Sequence, residues 1–313
     1  MTKIDMRDAF FEKLVEAARL DERIIVLSAD HGAFALKKFE EEMPDRYINI
    51  GIAEQNMVGV AAGLAASGKI VFIYGISPFV SLRVLEQLTI DVAAMQLPVN
   101  VISVGAGFTY STDGPTHQGL QDISAVATIP GMTILNSSDP VNTQAFVDMA
   151  ISSEKPHYIR IEKEKFPAFP RENHDMTSLK TGFSRLGSPE SDLLIITSGI
   201  TGQIVFPHIE KWAQEFDTSI SLIDIHQIKP FPDLLNQLNG HSHIVVVDEV
   251  YQSTIGANIT SLMLKNQLGQ RLLIAENGEN FQFIGSTRES MADISGLSPI
   301  KLAMKISQFL KVK

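Results

Sequence analysis

The sequence predicts an α/β protein built from two doubly wound domains. Short runs rich in Val and Ile alternate with longer stretches of helical period. Those runs are apolar on both faces, as strands of a parallel sheet covered by helices on each side are. The alternation stops at a stretch rich in Pro and polar residues and then restarts.

In the first half, Arg23–Ala29, Lys69–Tyr74, Val99–Val104 and Met132–Leu135 read as buried strands, and Asp8–Arg19, Glu54–Ala66, Pro78–Met95 and Val141–Ser152 as helices. Ser77 can cap the helix expected from Pro78, and Pro suits a first helical position. Pro167–Ser178 reads as a linker, which sets the domains at 1–170 and 180–313. Beyond it, Leu193–Thr197, Ser219–Ile225 and His243–Val247 read as strands, and Gly202–Glu215, Pro232–Leu238, Ile255–Leu268 and Pro299–Leu310 as helices. There is no short repeat and no low-complexity tract.

At 313 residues the chain is long enough for two cores. A net charge of -10 without a basic block argues against nucleic acid. The absence of Cys removes disulfide, thiolate and Cys-ligated metal chemistry. The charged amino terminus does not read as a signal peptide, and no apolar run reaches the ~18 residues that span a bilayer. The expectation is a cytoplasmic protein with no membrane partner.

Two segments carry chemistry-bearing residues. In Asn49–Gly63 a strand ends near Gly51 and a helix begins near Ala53, so Glu54 stands at a strand's carboxyl end and in a helix's first turn, where α/β sheets place ligands. A first-turn carboxylate favoured by the helix dipole is the plainer reading. Gly59, Ala62, Gly63 and Ala66 give that helix a small-residue face. In Thr112–Gly119, the turn signal Asp113-Gly114-Pro115 is followed by Thr116, His117 and Gln118. That grouping suits either a site or a solvated surface loop. Asp30 follows a strand, where a cap or turn is the ordinary role, and Arg160 lies inside the strand-like run His157–Ile161. The histidines form no metal-binding pair on one helix face, and no metal ligand is assigned. Gly199–Gly202 reads as a tight strand-to-helix turn that could also cradle an anion.

Together these segments resemble the transketolase family over nearly the whole chain: a thiamine diphosphate-binding, pyrimidine-type domain followed by a transketolase C-terminal-like domain. GIAEQNMVGVAAGLA is similar to the family's cofactor-glutamate helix and DGPTHQG to its substrate loop, with SADHGAF, IPGMTI, DIHQIKPF and VVVDEV at familiar intervals. The resemblance implies that Glu54 hydrogen-bonds N1′ of the cofactor's aminopyrimidine. A carboxyl in an apolar pocket can share a proton with that nitrogen, which makes the exocyclic amine basic enough to deprotonate the thiazolium. It further implies that Phe79 packs on the pyrimidine and Asp30 lines the cofactor pocket. Asp113 would read a substrate hydroxyl, His117 shuttle a proton, and Arg7 and Arg160 bind a sugar phosphate.

Three positions depart from the family pattern. Gly105 stands where a His is usual, Phe34 replaces a phosphate-binding Ser, and Ile76 replaces a second pocket aromatic. The family's GDG signature and Asn metal ligand are absent from the sequence. The resemblance therefore implies an N-terminal transketolase subunit holding the diphosphate and its Mg²⁺ (or Ca²⁺), in an α2β2 heterotetramer. The expected activity is transfer of a two-carbon ketol unit between sugars or related carbonyl compounds. The alternatives are a decarboxylative condensation like that of the deoxyxylulose phosphate synthases, which share GIAEQ and DGPTH, a non-catalytic regulatory subunit, and an unrelated α/β binding protein.

Overall fold

A computed structural model describes residues 4–32, 34–170, 176–278 and 280–311. Its strands are β1 (Ile4–Asp5), β2 (Ile24–Ser28), β3 (Tyr47–Asn49), β4 (Ile70–Ile76), β5 (Val99–Val104), β6 (Thr133–Asn136), β7 (His157–Ile161), β8 (Lys165–Phe166), β9 (Phe183–Leu186), β10 (Leu193–Thr197), β11 (Ile220–Ile225), β12 (Gln227–Lys229), β13 (His243–Val247) and β14 (Arg271–Ala275). The first sheet runs β12-β6-β7-β5-β4-β2-β3, and the second β14-β13-β10-β11-β9. Pairings are parallel except for β12 with β6 and β9 with β11, and β1 pairs antiparallel with β8. The α/β class expected from the sequence is the one observed.

Alternate side chains of each strand point to opposite faces, and both faces are buried. Ile25, Leu27, Val71, Ile73, Val99 and Val101 enter one core. Ile24, Val26, Ile70, Phe72, Ile102 and Val104 enter another, together with Phe10, Phe11 and Phe146 of the helices Met6–Leu20 and Pro140–Ile151. Those helices start where the sequence provides caps: Asp5 accepts from the Asp8 amide at 3.2 Å, and Asp139 accepts from the Asn142 amide at 2.8 Å ahead of Pro140. The first core continues without a break into the second sheet through Leu194, Ile196, Ile223 and Val246. The two halves are thus welded by shared apolar packing, and β12 from the second half closes an edge of the first sheet.

The expected helix Pro78–Met95 is not continuous. Residues 77–81 form turns, followed by the 3-10 turn Leu82–Val84, a single α turn Leu85–Gln87 and a π turn Leu88–Ala93. Ser77 does not cap a helix. Its hydroxyl donates to the carbonyls of Val104 and Gly105 at 3.1 Å, joining the ends of β4 and β5. The expected helix Gly202–Glu215 breaks at Pro207 into Ile200–Val205, a 3-10 turn and Ile209–Phe216, because Pro cannot donate to the preceding turn. Only Leu235–Leu238 of the expected helix at Pro232 is helical. Of the expected linker, residues 171–175 lie outside the described residues, and the helix Met176–Thr181 follows them. Among the described residues no helix is long and apolar enough to cross a membrane.

Candidate active site

The carboxyl ends of β2, β3, β4 and β5 deliver the candidate residues to one edge of the first sheet, as the strand-to-helix geometry requires. Gly51, at φ +75, turns the chain out of β3 and into the helix Glu54–Ala66. Glu54 opens that helix and is 3% exposed. Arg83, from the 3-10 turn, donates to Glu54 Oε1 at 2.7 Å, and its guanidinium carbon sits 4.3 Å above the Phe79 ring. The edge of His117 meets the same ring with centroids 5.1 Å apart. Arg83 and His117 thus both pack on the Phe79 ring, and Arg83 ties Glu54 to that group, although these residues arise from three separate segments.

His31 joins them. Its ring centroid is 6.0 Å from that of Phe79, and its buried Nδ1 has no hydrogen-bond partner among the described residues. Burial holds the imidazole below its ordinary pKa, against the opposing pull of Glu54, which keeps it neutral at physiological pH. Asp30, one residue earlier, is exposed at φ +57, with its amide donating to Asn49 Oδ1 at 3.1 Å.

Asp113 and His117 share the loop that leaves β5. Asp113 is exposed, and His117 Nδ1 lies 2.9 Å from Thr116 Oγ1. Gln118 beside them is buried, and neither of its amide atoms has a partner among the described residues. Two polar systems hold this loop. Beneath it, Ser77, Ser103, Tyr158 and Asp122 form a buried hydrogen-bonded chain with links of 2.7–2.8 Å. Arg160, 2% exposed, ends that chain by pairing with Asp122 at 3.2 Å and donating to the Gly119 carbonyl.

The second system comes from the carboxyl-terminal half. Glu249 accepts from the Phe108 amide at 3.0 Å. Arg288 bridges Glu249 to Glu162 (2.8 Å to the latter), donates to Thr109 Oγ1 at 3.1 Å and reaches the Ala106 carbonyl at 3.4 Å. Burial pushes the Glu249 carboxyl above its ordinary pKa despite Arg288.

Arg7 stands apart. It lines a cavity of about 360 Å³ with Gly32, Phe34, Lys37, Glu40 and Tyr47. Arg7 and the departure Phe34 are thus neighbours, whereas Arg160 is spent on Asp122 and Gly119 and does not line this cavity. At another departure, a Cβ on Gly105 would fall 2.4 Å from the Tyr110 ring, so Tyr110 occupies the space in which a side chain there would stand. Among the described residues no group of three or more His, Asp or Glu could hold a metal ion.

Residues 2–168 match the family described as transketolase, pyrimidine binding domain. The chain belongs to the transketolase family. It is 34% identical over 229 residues to the 6-deoxy-6-sulfo-D-fructose transketolase subunit SqwH of Clostridium sp. (strain MSTE9), covering 73% of this chain and 70% of that protein. It is also 34% identical over 274 residues to a subunit of the apulose-4-phosphate transketolase of Phocaeicola vulgatus, covering 86% of this chain and 87% of that protein. The solved structure of a split gene transketolase, described as an inactive beta4 tetramer, superposes with a TM-score of 0.83 at 24% identity and 99% coverage of both chains, which establishes the fold.

Against that family background, His31, Arg83, Tyr110, Glu162, Glu249 and Arg288 are the neighbours and supports of the candidate site that pattern reading did not single out. Glu249 had a usable signal, since the carboxylate pair Asp248-Glu249 follows four apolar residues of β13 and so emerges at a strand's carboxyl end. Arg83 had none, because an Arg inside an expected helix, Pro78–Met95, looks like a solvated surface residue.

Proposed function

We propose that this chain is one subunit of a split thiamine diphosphate-dependent transketolase that moves a two-carbon ketol unit between sugars or related carbonyl compounds. The observation that carries the reading is a buried carboxyl, Glu54, linked through the Arg83 guanidinium to the Phe79 ring, with His117 packed edge-on against that same ring. A carboxyl withdrawn from water can share a proton with a ring nitrogen, and an aromatic face can hold that ring in plane. Among the described residues His31 Nδ1, beside the Phe79 ring, and both amide atoms of Gln118, next to His117 in the loop, have no partner, which leaves hydrogen-bonding capacity there. These residues fit the aminopyrimidine end of the cofactor, with Asp30 at the edge of the pocket. When bound, thiamine diphosphate supplies the nucleophilic carbon that accepts and releases the two-carbon unit.

This chain's residues do the rest. Glu54 holds the proton at the pyrimidine nitrogen. His117, neutral when unprotonated, takes or returns a proton at a substrate hydroxyl, and Asp113 accepts a hydrogen bond from another. Arg160 anchors the loop that carries them. Arg7, in its cavity with Lys37, meets a terminal anionic group of the sugar. The diphosphate and a divalent cation are held by a partner subunit in an α2β2 assembly. Two relatives named as transketolase subunits support that arrangement, as does the open face of the Glu54–Ala66 helix, where a Cβ on Gly59 or Gly63 would touch nothing. The test is Glu54→Gln in the complex with the partner. Ketol transfer should fall about a thousandfold with the melting temperature unchanged, and retained turnover would remove Glu54 from the chemistry.

A further inference from the structure

The guanidinium of Arg83 meets two surfaces at once: Nη1 donates to Glu54 Oε1 at 2.7 Å, and the group sits over Phe79 with its carbon 4.3 Å from the ring centroid. On the reading above, which this inference rests on, those are the two surfaces an aminopyrimidine needs, a carboxyl for its ring nitrogen and an aromatic face for its ring. A guanidinium is planar, cationic and edged with N–H donors, so it satisfies the same pair of partners that a protonated aminopyrimidine does. The two cannot share the place. A ring hydrogen-bonded to Glu54 and stacked on Phe79 needs the volume the guanidinium fills.

We propose that Arg83 holds the pyrimidine seat of the empty subunit and competes with the cofactor for it, acting as a positioning residue through Glu54. The asymmetry in burial makes the exchange workable. The Arg83 side chain is 44% exposed and can swing into water at little cost, whereas Glu54 is 3% exposed and cannot follow it. In the empty subunit the pair spares Glu54 from standing buried without a partner, a state that strongly destabilises a fold. When Arg83 leaves, the carboxyl is left facing a ring nitrogen with which to share a proton. Binding thiamine diphosphate therefore includes the work of breaking a charge-assisted hydrogen bond and a cation–π contact.

The experiment is calorimetric titration of thiamine diphosphate, with Mg²⁺ saturating, into the complex of this chain and its diphosphate-binding partner. Arg83→Met keeps the stem length and removes the donors and the charge. It should tighten the cofactor about five- to tenfold, with Arg83→Lys in between, while the melting temperature of the empty complex falls. A residue that merely supports the fold gives the opposite sign, with affinity and melting temperature falling together. Unchanged or weaker binding in Arg83→Met would overturn the proposal. Phe79→Ala separates this from failure of the underlying reading: if it leaves the affinity untouched, the pyrimidine does not sit on Phe79 at all, and Arg83 has nothing to compete for.

Discussion

Replacing Arg288 by Met exposes how the carboxyl-terminal half supports the substrate loop. The Arg288 side chain is 10% exposed, and its two carboxylate partners, Glu162 and Glu249, are 1% and 3% exposed. Methionine matches the stem and removes the charge, so two buried carboxylates lose the cation between them. Taking one partner from a buried ion pair costs about 3–5 kcal/mol, mostly as the uncompensated charge left behind. At about 2 °C per kcal/mol for a chain of this size, the melting temperature should fall by about 6–10 °C at pH 7.5. The defect should depend on pH in a fixed direction. The Glu249 pKa is already raised above its unfolded value, so the stability tied to its neutral form is fully present near and below pH 4.5 and is lost as the pH rises through the folded value. Without Arg288 that loss grows, and the gap between variant and parent should be widest at neutral pH and close as the pH falls toward 4.5. The assay is thermal unfolding followed by circular dichroism from pH 4.5 to 8. A shift under about 2 °C that ignores pH would refute the idea that this cation neutralises the buried pair.

Gly107 tests the same contact from the other side: at φ +55, an added Cβ would fall 1.8 Å from Glu249 Oε2. Gly107→Ala should push the loop off Glu249 and raise KM for sugar substrates in the complex while leaving thiamine diphosphate affinity, measured by titration, unaltered. His157, whose Nδ1 lies 2.9 Å from Asn100 Oδ1, is held down to a pKa of about 4 by burial. A depressed histidine contributes stability that is present above 6.5 and lost as the pH falls, so its imidazole should stay unprotonated down to about pH 5 in an NMR titration. The associated loss of stability reaches about 3 kcal/mol by pH 4. Asp248 is pushed up to about 6 by burial and accepts from Ser253 Oγ at 2.8 Å. Its contribution therefore fades as the pH rises from about 4 to 6, and Asp248→Asn should flatten that part of the denaturant-derived stability curve; an unchanged slope would assign it to another group.

Local pattern was enough to find the central strands and the turn that presents Glu54, but it did not mark β1, β8, β9, β12 or β14, which lie at sheet edges or in the small two-stranded sheet. Ile24–Ser28, Val99–Val104 and Leu193–Thr197 are fully buried because both faces of their sheets are covered, and short runs dominated by Val, Ile and Leu are what such a position selects. The same logic failed for the segment after Ser77, where helical spacing was read as a helix. The Ser77 hydroxyl is instead committed to the end of β5, and the chain passes through turns before it can coil.

What the sequence by itself determined was the alternation of strands and helices, the position of Glu54 at a strand end and the company of Asp113 and His117 in one loop. These follow from neighbours a few residues apart, whose periodicity and turn chemistry are visible in one dimension. Only the tertiary structure decided who meets whom. Arg83 reaches a glutamate 29 residues away, Phe108 is held by one 141 residues away, and Arg288 bridges two carboxylates that lie 126 and 39 residues from it. It also decided that Arg160 would be buried against Asp122 while Arg7 lined a cavity. The physical reason is that a charge is read by its distance and exposure, and both are set by how sheets and halves pack, not by the order in which the residues are joined.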